Sequence, residues 1–266
     1  MSHDAKNVQG HLSTGTVIQN TLLMAADPMS PFVGGNAVDS DANQPLAAEP
    51  KETHRHADGE IHSQSQSLLA GRVVVLNGFP GVGKFSMGRR LFDMFDPKQA
   101  RFIDNHLLID PVQAIIPGRS TDQKALRYAF RKVAFDALSG IADERTTLIF
   151  TSCLSSSEED QQVFEEYLAI ASRRQISFYL FNISCDRKEH HSRLVTTERS
   201  AGSKTKLTIP EILDDMLDNH TLVEIEQYKT RLPDSPVQYS FELDTTNNSV
   251  EESAAEIYRI ITAYKH

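Results

Sequence analysis

Gly78, Gly81, Gly83, Lys84 and Ser86 fall within nine consecutive residues, and that combination can hold a phosphate chain. Glycines let successive backbone N–H groups turn inward around an anion, while the lysine that follows adds a charge able to reach the β- and γ-phosphates of a nucleotide. Such a loop works only between a strand and a helix, because the helix N-terminus contributes further positive potential. Both flanks are present. Val73-Val74-Val75-Leu76 reads as a buried strand, and Met87 and Leu91 repeat on one face of a helix that starts at Lys84. The phosphate-binding candidates are therefore Gly78, Phe79, Pro80, Gly81, Val82, Gly83, Lys84, Phe85 and Ser86, a P-loop in its expected context. Its hydroxyl is displaced by one residue from the pattern G-x-x-x-x-G-K-[ST], with Phe85 following the lysine and Ser86 after it.

Further positions carry chemistry. Asp104 ends a short second strand, Arg101-Phe102-Ile103, at the edge where an open α/β sheet places its ligands. A carboxylate there can take the proton of an attacking hydroxyl or hold Mg²⁺ through water, with Asp110 in reserve. Arg193 and Arg199 lie at the end of the helix after the fourth strand, with Lys204 and Lys206 beyond in a stretch that has lost its apolar residues. A basic lid of this kind stabilises the charge that phosphoryl transfer spreads over equatorial oxygens. Lys84, Asp104, Arg193 and Arg199 are thus the catalytic candidates. Arg127 and Arg131, four apart on one helix, are candidates to hold an anionic or polyhydroxyl substrate. Cys153, at the end of the third strand, reads as a small buried thiol. That strand lacks the Asp-Glu pair with which remodelling ATPases bind Mg²⁺ and polarise water, which disfavours a dedicated hydrolase.

These residues need an alternating α/β frame, and from Arg72 onward the sequence provides one. Helices are expected from Ser120 to Leu138, with an apolar stripe of Leu126, Phe130, Val133, Ala134, Ala137 and Leu138, and after the caps Ser155 to Ser157, Asp186, Thr208 and Ser249. Strands are expected at Thr147–Cys153, Ile176–Ile183 and Tyr239–Leu243.

Residues 1–68 are of another kind. Three basic residues, Lys6, Lys51 and Arg55, stand against eight acids with little apolar periodicity, so the segment reads as a disordered or loosely docked extension of a domain over 69–266. Its histidines His54, His56 and His62 have no acids or cysteines at metal-ligand spacing. A net charge of -9 opposes nonspecific binding to nucleic acid or an anionic membrane. Two cysteines far apart and no bilayer-length apolar run point to a cytoplasmic protein.

Read as G-x-P-G-x-G-K-x-[ST], the segment Gly78 to Ser86 resembles the loops of adenylate-kinase-like nucleotide kinases. The order of features over residues 70 to 266 is similar to chloramphenicol-phosphotransferase-like, adenylate-kinase-like and shikimate-kinase-like proteins. It comprises that loop, Asp104-Asn105-His106-Leu107-Leu108 after the second strand, Cys185-Asp186 after the fourth, the arginines Arg193 and Arg199, and Lys206-Leu207-Thr208. The resemblance implies a three-layer α/β/α P-loop NTPase fold with a five-stranded parallel sheet in the order 2-3-1-4-5. It also implies ATP and Mg²⁺, Ser86 helping to place the metal. Thr245 and Thr246, in Leu243-Asp244-Thr245-Thr246, would belong to the loop that cups adenine. The expectation is an ATP-dependent kinase acting on a small hydroxyl-bearing molecule. Its alternatives are a non-catalytic ATP-binding switch or scaffold, and a plain ATPase.

Overall fold

Arg72–Asn77 forms β1, and every residue of it is buried. In the computed structural model, which describes residues 70–196, 206–228 and 237–263, this strand lies at the centre of a five-stranded sheet in the order β2-β3-β1-β4-β5. Its neighbours are β3 (Thr147–Ser152) and β4 (Ser177–Ser184), with β2 (Ala100–Ile103) and β5 (Gln238–Asp244) at the edges. All four pairings are parallel. The expected sheet order and layer architecture are those observed. Residues 1–68, with Arg199 and Lys204, lie outside the described residues.

The strand's apolar run divides by alternation, since successive side chains leave a strand on opposite faces. Val73 and Val75 enter a core with Phe164, Tyr167, Leu168 and Ala171 of α4 (Glu158–Arg174) and Phe135 of α3 (Thr121–Ser139). Val74 and Leu76 enter the opposite core with Met87 and Leu91 of α1 (Lys84–Phe92) and Ala254, Ile257 and Ile261 of α7 (Val250–Ala263). A sheet buried on both faces explains why the strands read as unbroken apolar runs. A smaller third cluster joins Phe79 to Leu194 of α5 (Arg187–Leu194) and to Leu213 and Met216 of α6 (Pro210–Asn219), with Leu207 between them.

Caps fix most helix starts. Ser120, Ser157 and Asp186 each accept a backbone N–H three residues on. Ser249 and Glu252 form the full reciprocal box before α7. The box expected at Thr208 and Glu211 is not formed: Ile209 is the N-cap of α6 and makes no side-chain cap bond, while Pro210 occupies the first turn. There its fixed φ and missing N–H suit a helix start.

Two further differences bear on the site. A helix absent from the sequence expectation, α2 (His106–Ile115), follows β2 with Pro111 inside it. Proline in a helix removes one intrahelical bond, which hides such a helix from pattern reading. The apolar stripe expected on α3 holds only in part, with Ala134 and Leu138 packed against the core. Val133 is 72% and Phe130 38% exposed, whereas Gln123 and Phe135 are buried. The inward face instead follows Gln123, Arg127, Arg131 and Phe135 at intervals of four, polar where it nears the C-terminal edge of the sheet and apolar where it meets the core.

Beneath that edge lies a buried amide network. Asn77 donates to the Leu154 carbonyl and to Asn182 Oδ1, both at 3.0 Å, and accepts from Leu154 N–H at 2.7 Å. Asn182 donates in turn to the Val223 carbonyl (3.0 Å) and to Glu242 (2.9 Å). The network ties β1, β4, β5 and the loop after β3 directly under the phosphate loop. Asn77→Ala leaves the Leu154 amide and the Asn182 carbonyl buried without a partner, and is expected to cost about 2–4 kcal/mol in urea unfolding.

Candidate active site

A sheet of order 2-3-1-4-5 reverses its winding at β1 and β3, so the loops after those strands part and leave a crevice at their carboxyl ends. A cavity of about 710 Å³ opens there. Its floor is the loop from Pro80 to Met87, which the sequence marks by glycines at the tight points. Gly81 and Gly83 both take φ of 99°, a left-handed conformation that a side chain would strain. Gly83 is the N-cap of α1 and makes no side-chain cap bond, so this terminus is open to an anion.

Lys84 Nζ donates to the carbonyls of Gly78 (2.6 Å) and Phe79 (2.8 Å), which fixes the ammonium over its own loop. Phe79 and Gly78 are not on the cavity wall. The Phe79 ring is 8% exposed within the third apolar cluster, so any contact it offers a phosphate comes from its backbone. Phe85 is half-exposed on the wall, 5.7 Å from the Phe102 ring and 6.0 Å from Lys206 Nζ. Ser86 is exposed on the wall beside it.

Asp104 faces the loop from the end of β2 and is 5% exposed. Thr151 Oγ1 donates to its Oδ1 at 2.7 Å and accepts from Asn105 N–H at 3.0 Å, which holds the carboxylate in one orientation. Asp110 is instead paired with His106 Nδ1 at 3.0 Å, and His106 lies on the wall. Cys153 lines the cavity as well. Burial pushes its thiol up to about 11, against 9.0 for an ordinary cysteine, so it is neutral at working pH and no nucleophile. Alkylation of Cys153 by iodoacetamide at pH 8 is accordingly expected to run at least about tenfold slower than for an exposed cysteine, with full reactivity restored in urea, read by mass spectrometry.

Arg193 stands at the other end of the cavity. Its Nη1 and Nη2 donate to Thr245 Oγ1 (2.9 Å) and the Thr245 carbonyl (2.8 Å), and its Nε to Glu189 (2.8 Å). A longer contact of 3.5 Å reaches the Val82 carbonyl. This arginine is thus a strut joining α5, the phosphate loop and the Thr245 wall. Thr245 lines the cavity with Asn248, Ser249, Val250 and Ser253, but Thr246 does not. The Thr246 hydroxyl is turned to Asp244 (2.6 Å) and Asp186 N–H (2.8 Å).

The two substrate candidates separate. Arg127 lines the main cavity, whereas Arg131 lines a smaller chamber of about 290 Å³ that shares Arg127, Asn105, Ser152, Cys153 and Asp160 with it. Arg131 is held by Glu166 in a forked pair at 2.6 and 2.9 Å. Among the wall residues that went unread in the sequence are Arg119, Thr151 and Asp160. Arg119 had a signal, since a cation just before the helix cap Ser120 faces the positive end of the α3 dipole.

This architecture is a three-layer α/β/α P-loop fold built on an all-parallel five-stranded sheet. No protein-family model and no curated protein matches the chain. Among solved structures, a protein of Chloroflexus aurantiacus provisionally named a kinase is similar with a TM-score of 0.50 and 9% identity, over 74% of this chain and 98% of that one. Shikimate kinase from Acinetobacter baumannii, solved with shikimate, is similar with a TM-score of 0.40 and 12% identity, over 72% and 93%. Kti12 from Chaetomium thermophilum, solved with ADP-AlF3, is similar with a TM-score of 0.45 and 15% identity, over 72% and 97%. At 9% identity the likeness to the Chloroflexus aurantiacus protein establishes the fold alone.

Proposed function

We propose that the protein is an ATP-dependent phosphotransferase acting on a small hydroxyl-bearing molecule. The observation that carries the reading is one cavity lined by the phosphate loop on one side and by a buried, oriented carboxylate, Asp104, on the other. The phosphate loop with Lys84 holds the β- and γ-phosphates, and the wall of Thr245, Asn248 and Ser249 receives the nucleoside end. Asp104 takes the proton of the acceptor hydroxyl as its oxygen bonds the γ-phosphorus and the bond from phosphorus to the β–γ bridging oxygen breaks, leaving ADP. Lys84, already fixed over the loop, meets the charge that gathers on the departing β-phosphate.

Ser86 and Asp104 fit a magnesium ion, which prefers oxygen donors, keeps several waters and takes few protein ligands beside the phosphates. Both line the cavity, and no cluster of three or more His, Cys, Asp or Glu side chains able to hold a metal exists among the described residues. When bound, the ion supplies charge neutralisation at the β- and γ-oxygens.

Among the described residues no helix is long and apolar enough to cross a membrane. The two cysteines are free, and a reducing, cytoplasmic setting suits them. Incubation with γ-labelled ATP, Mg²⁺ and a panel of hydroxyl compounds tests the proposal: label is expected on an acceptor, and label appearing as free phosphate irrespective of acceptor would overturn it.

A further inference from the structure

Arg119 enters the acceptor side of the cavity from the turn before α3, between Gly118 and the cap Ser120. Its Nε and Nη1 are buried and have no hydrogen-bond partner among the described residues. Burial, and then the neighbouring Arg127, lowers its pKa to about 10, with Glu159 pulling the other way, so it remains a cation at neutral pH. Arg127, nearly two helical turns inside α3, is likewise lowered by burial first and by Arg131 second, against Tyr167, Asp160 and Glu159.

The nearby carboxylates are engaged elsewhere. Glu159 pairs with Lys124 at 3.1 Å, and Asp160 accepts from Ser155 N–H (2.9 Å) and Oγ (2.6 Å). Arginines that serve the fold have most of their donors engaged, even where one atom, the Nε of Arg174, is buried without a partner. Arg131 has its forked pair with Glu166, and Arg174 spreads its two Nη atoms over the carbonyls of Leu138, Ile141, Asp143 and Thr146. Two guanidinium groups repelling each other at a cavity wall, one with buried donors unused, describe a site for an oxyanion.

Taking the kinase reading as its base, the geometry points to Arg119 and Arg127 as a clamp for an anionic group of the acceptor, so that the molecule phosphorylated carries a carboxylate or phosphate besides its hydroxyl. The hydroxyl is then presented to Asp104, whose neighbour Asn105 lines both the main cavity and the chamber behind Arg127.

The test is calorimetric titration of inorganic phosphate, and separately of malonate, into the full chain with Mg²⁺ and a non-hydrolysable ATP analogue present. Saturable binding of at least one anion is expected, weakened at least about tenfold by Arg119→Gln and by Arg127→Gln and retained in Lys84→Ala. The tighter of the two anions identifies the group. Binding that neither arginine variant weakens, or no saturable binding, would overturn the clamp. A second variant guards against misfolding: Arg119→Met is expected to raise the Tm of the anion-free protein by roughly 2–4 °C, because it removes an uncompensated buried charge. A fall in Tm would mark Arg119 as structural and end the proposal. Failure of the clamp and failure of the kinase reading are separable: anion binding without turnover of any acceptor removes the kinase alone, and transfer to a neutral polyol without anion binding removes the clamp alone.

Discussion

Asp104→Asn is expected to lower phosphoryl transfer by roughly 10²–10⁴-fold while leaving ATP affinity near that of the native chain. The substitution keeps the volume of the side chain and one oxygen able to accept from Thr151 Oγ1, the 2.7 Å bond that orients the carboxylate. The negative charge is lost, and with it both the basicity and the carboxylate's share in holding the metal, so the change should appear in single-turnover transfer of labelled phosphate and not in the unfolding midpoint. Thr151→Val is the companion variant. It removes the orienting hydroxyl and the bond from Asn105 N–H at 3.0 Å, and its effect on rate should be smaller than that of removing the base. Full transfer by Asp104→Asn would assign the base elsewhere.

Lys84→Ala is expected to lower transfer by roughly 10²–10³-fold and to weaken ATP binding with it. Two effects combine in this variant. The charge over the β- and γ-phosphates is lost, and the carbonyls of Gly78 and Phe79 lose the ammonium that draws them together at 2.6 and 2.8 Å. Lys84→Arg keeps the charge but replaces a compact ammonium with a planar fork on a longer stem, so it should recover little of the activity. Paired measurements of KM for ATP and kcat separate the two effects. A Lys84→Ala chain with native kcat would show that the ammonium only binds.

The frame was legible because its signals are local. Four apolar residues before a glycine loop and a 3.6-residue repeat after it specify strand, turn and helix whatever surrounds them. The caps Asp186 and Ser249 were legible for the same reason, since each bonds an amide three residues away, whereas the boxes offered at Ser155 and Ser156 give way to Ser157 as the cap of α4. Pro111 hid α2, and the N-terminal part of the α3 stripe was misread because Arg127 and Arg131 occupy the inward face near the cavity. A pattern rule assigns charged residues to solvent, and here the cavity takes the place of solvent.

The site was legible only as far as residue types announce themselves. Lys84, Asp104 and Arg127 were singled out from position along the chain, and all three line the same cavity. The partners of each side chain could not be read, because they come from distant segments. Thr151 lies 47 residues from Asp104, Thr245 lies 52 from Arg193 and Asn182 lies 105 from Asn77. Hence Arg193 was expected over the transferring phosphate, whereas its guanidinium binds Thr245 and Glu189. Arg131 was expected on substrate, whereas it binds Glu166.

The central claim is that phosphate held on the Gly78–Ser86 loop passes to a hydroxyl at Asp104 and not to water. The most direct measurement follows γ-labelled ATP with the full chain, Mg²⁺ and matched acceptors bearing or lacking an anionic group, separating labelled acceptor from labelled phosphate. The account predicts label on an acceptor, loss of that label in Asp104→Asn, and no phosphate release above background without acceptor. ATP that is bound and never consumed, or phosphate released at the same rate with and without acceptor, would contradict it.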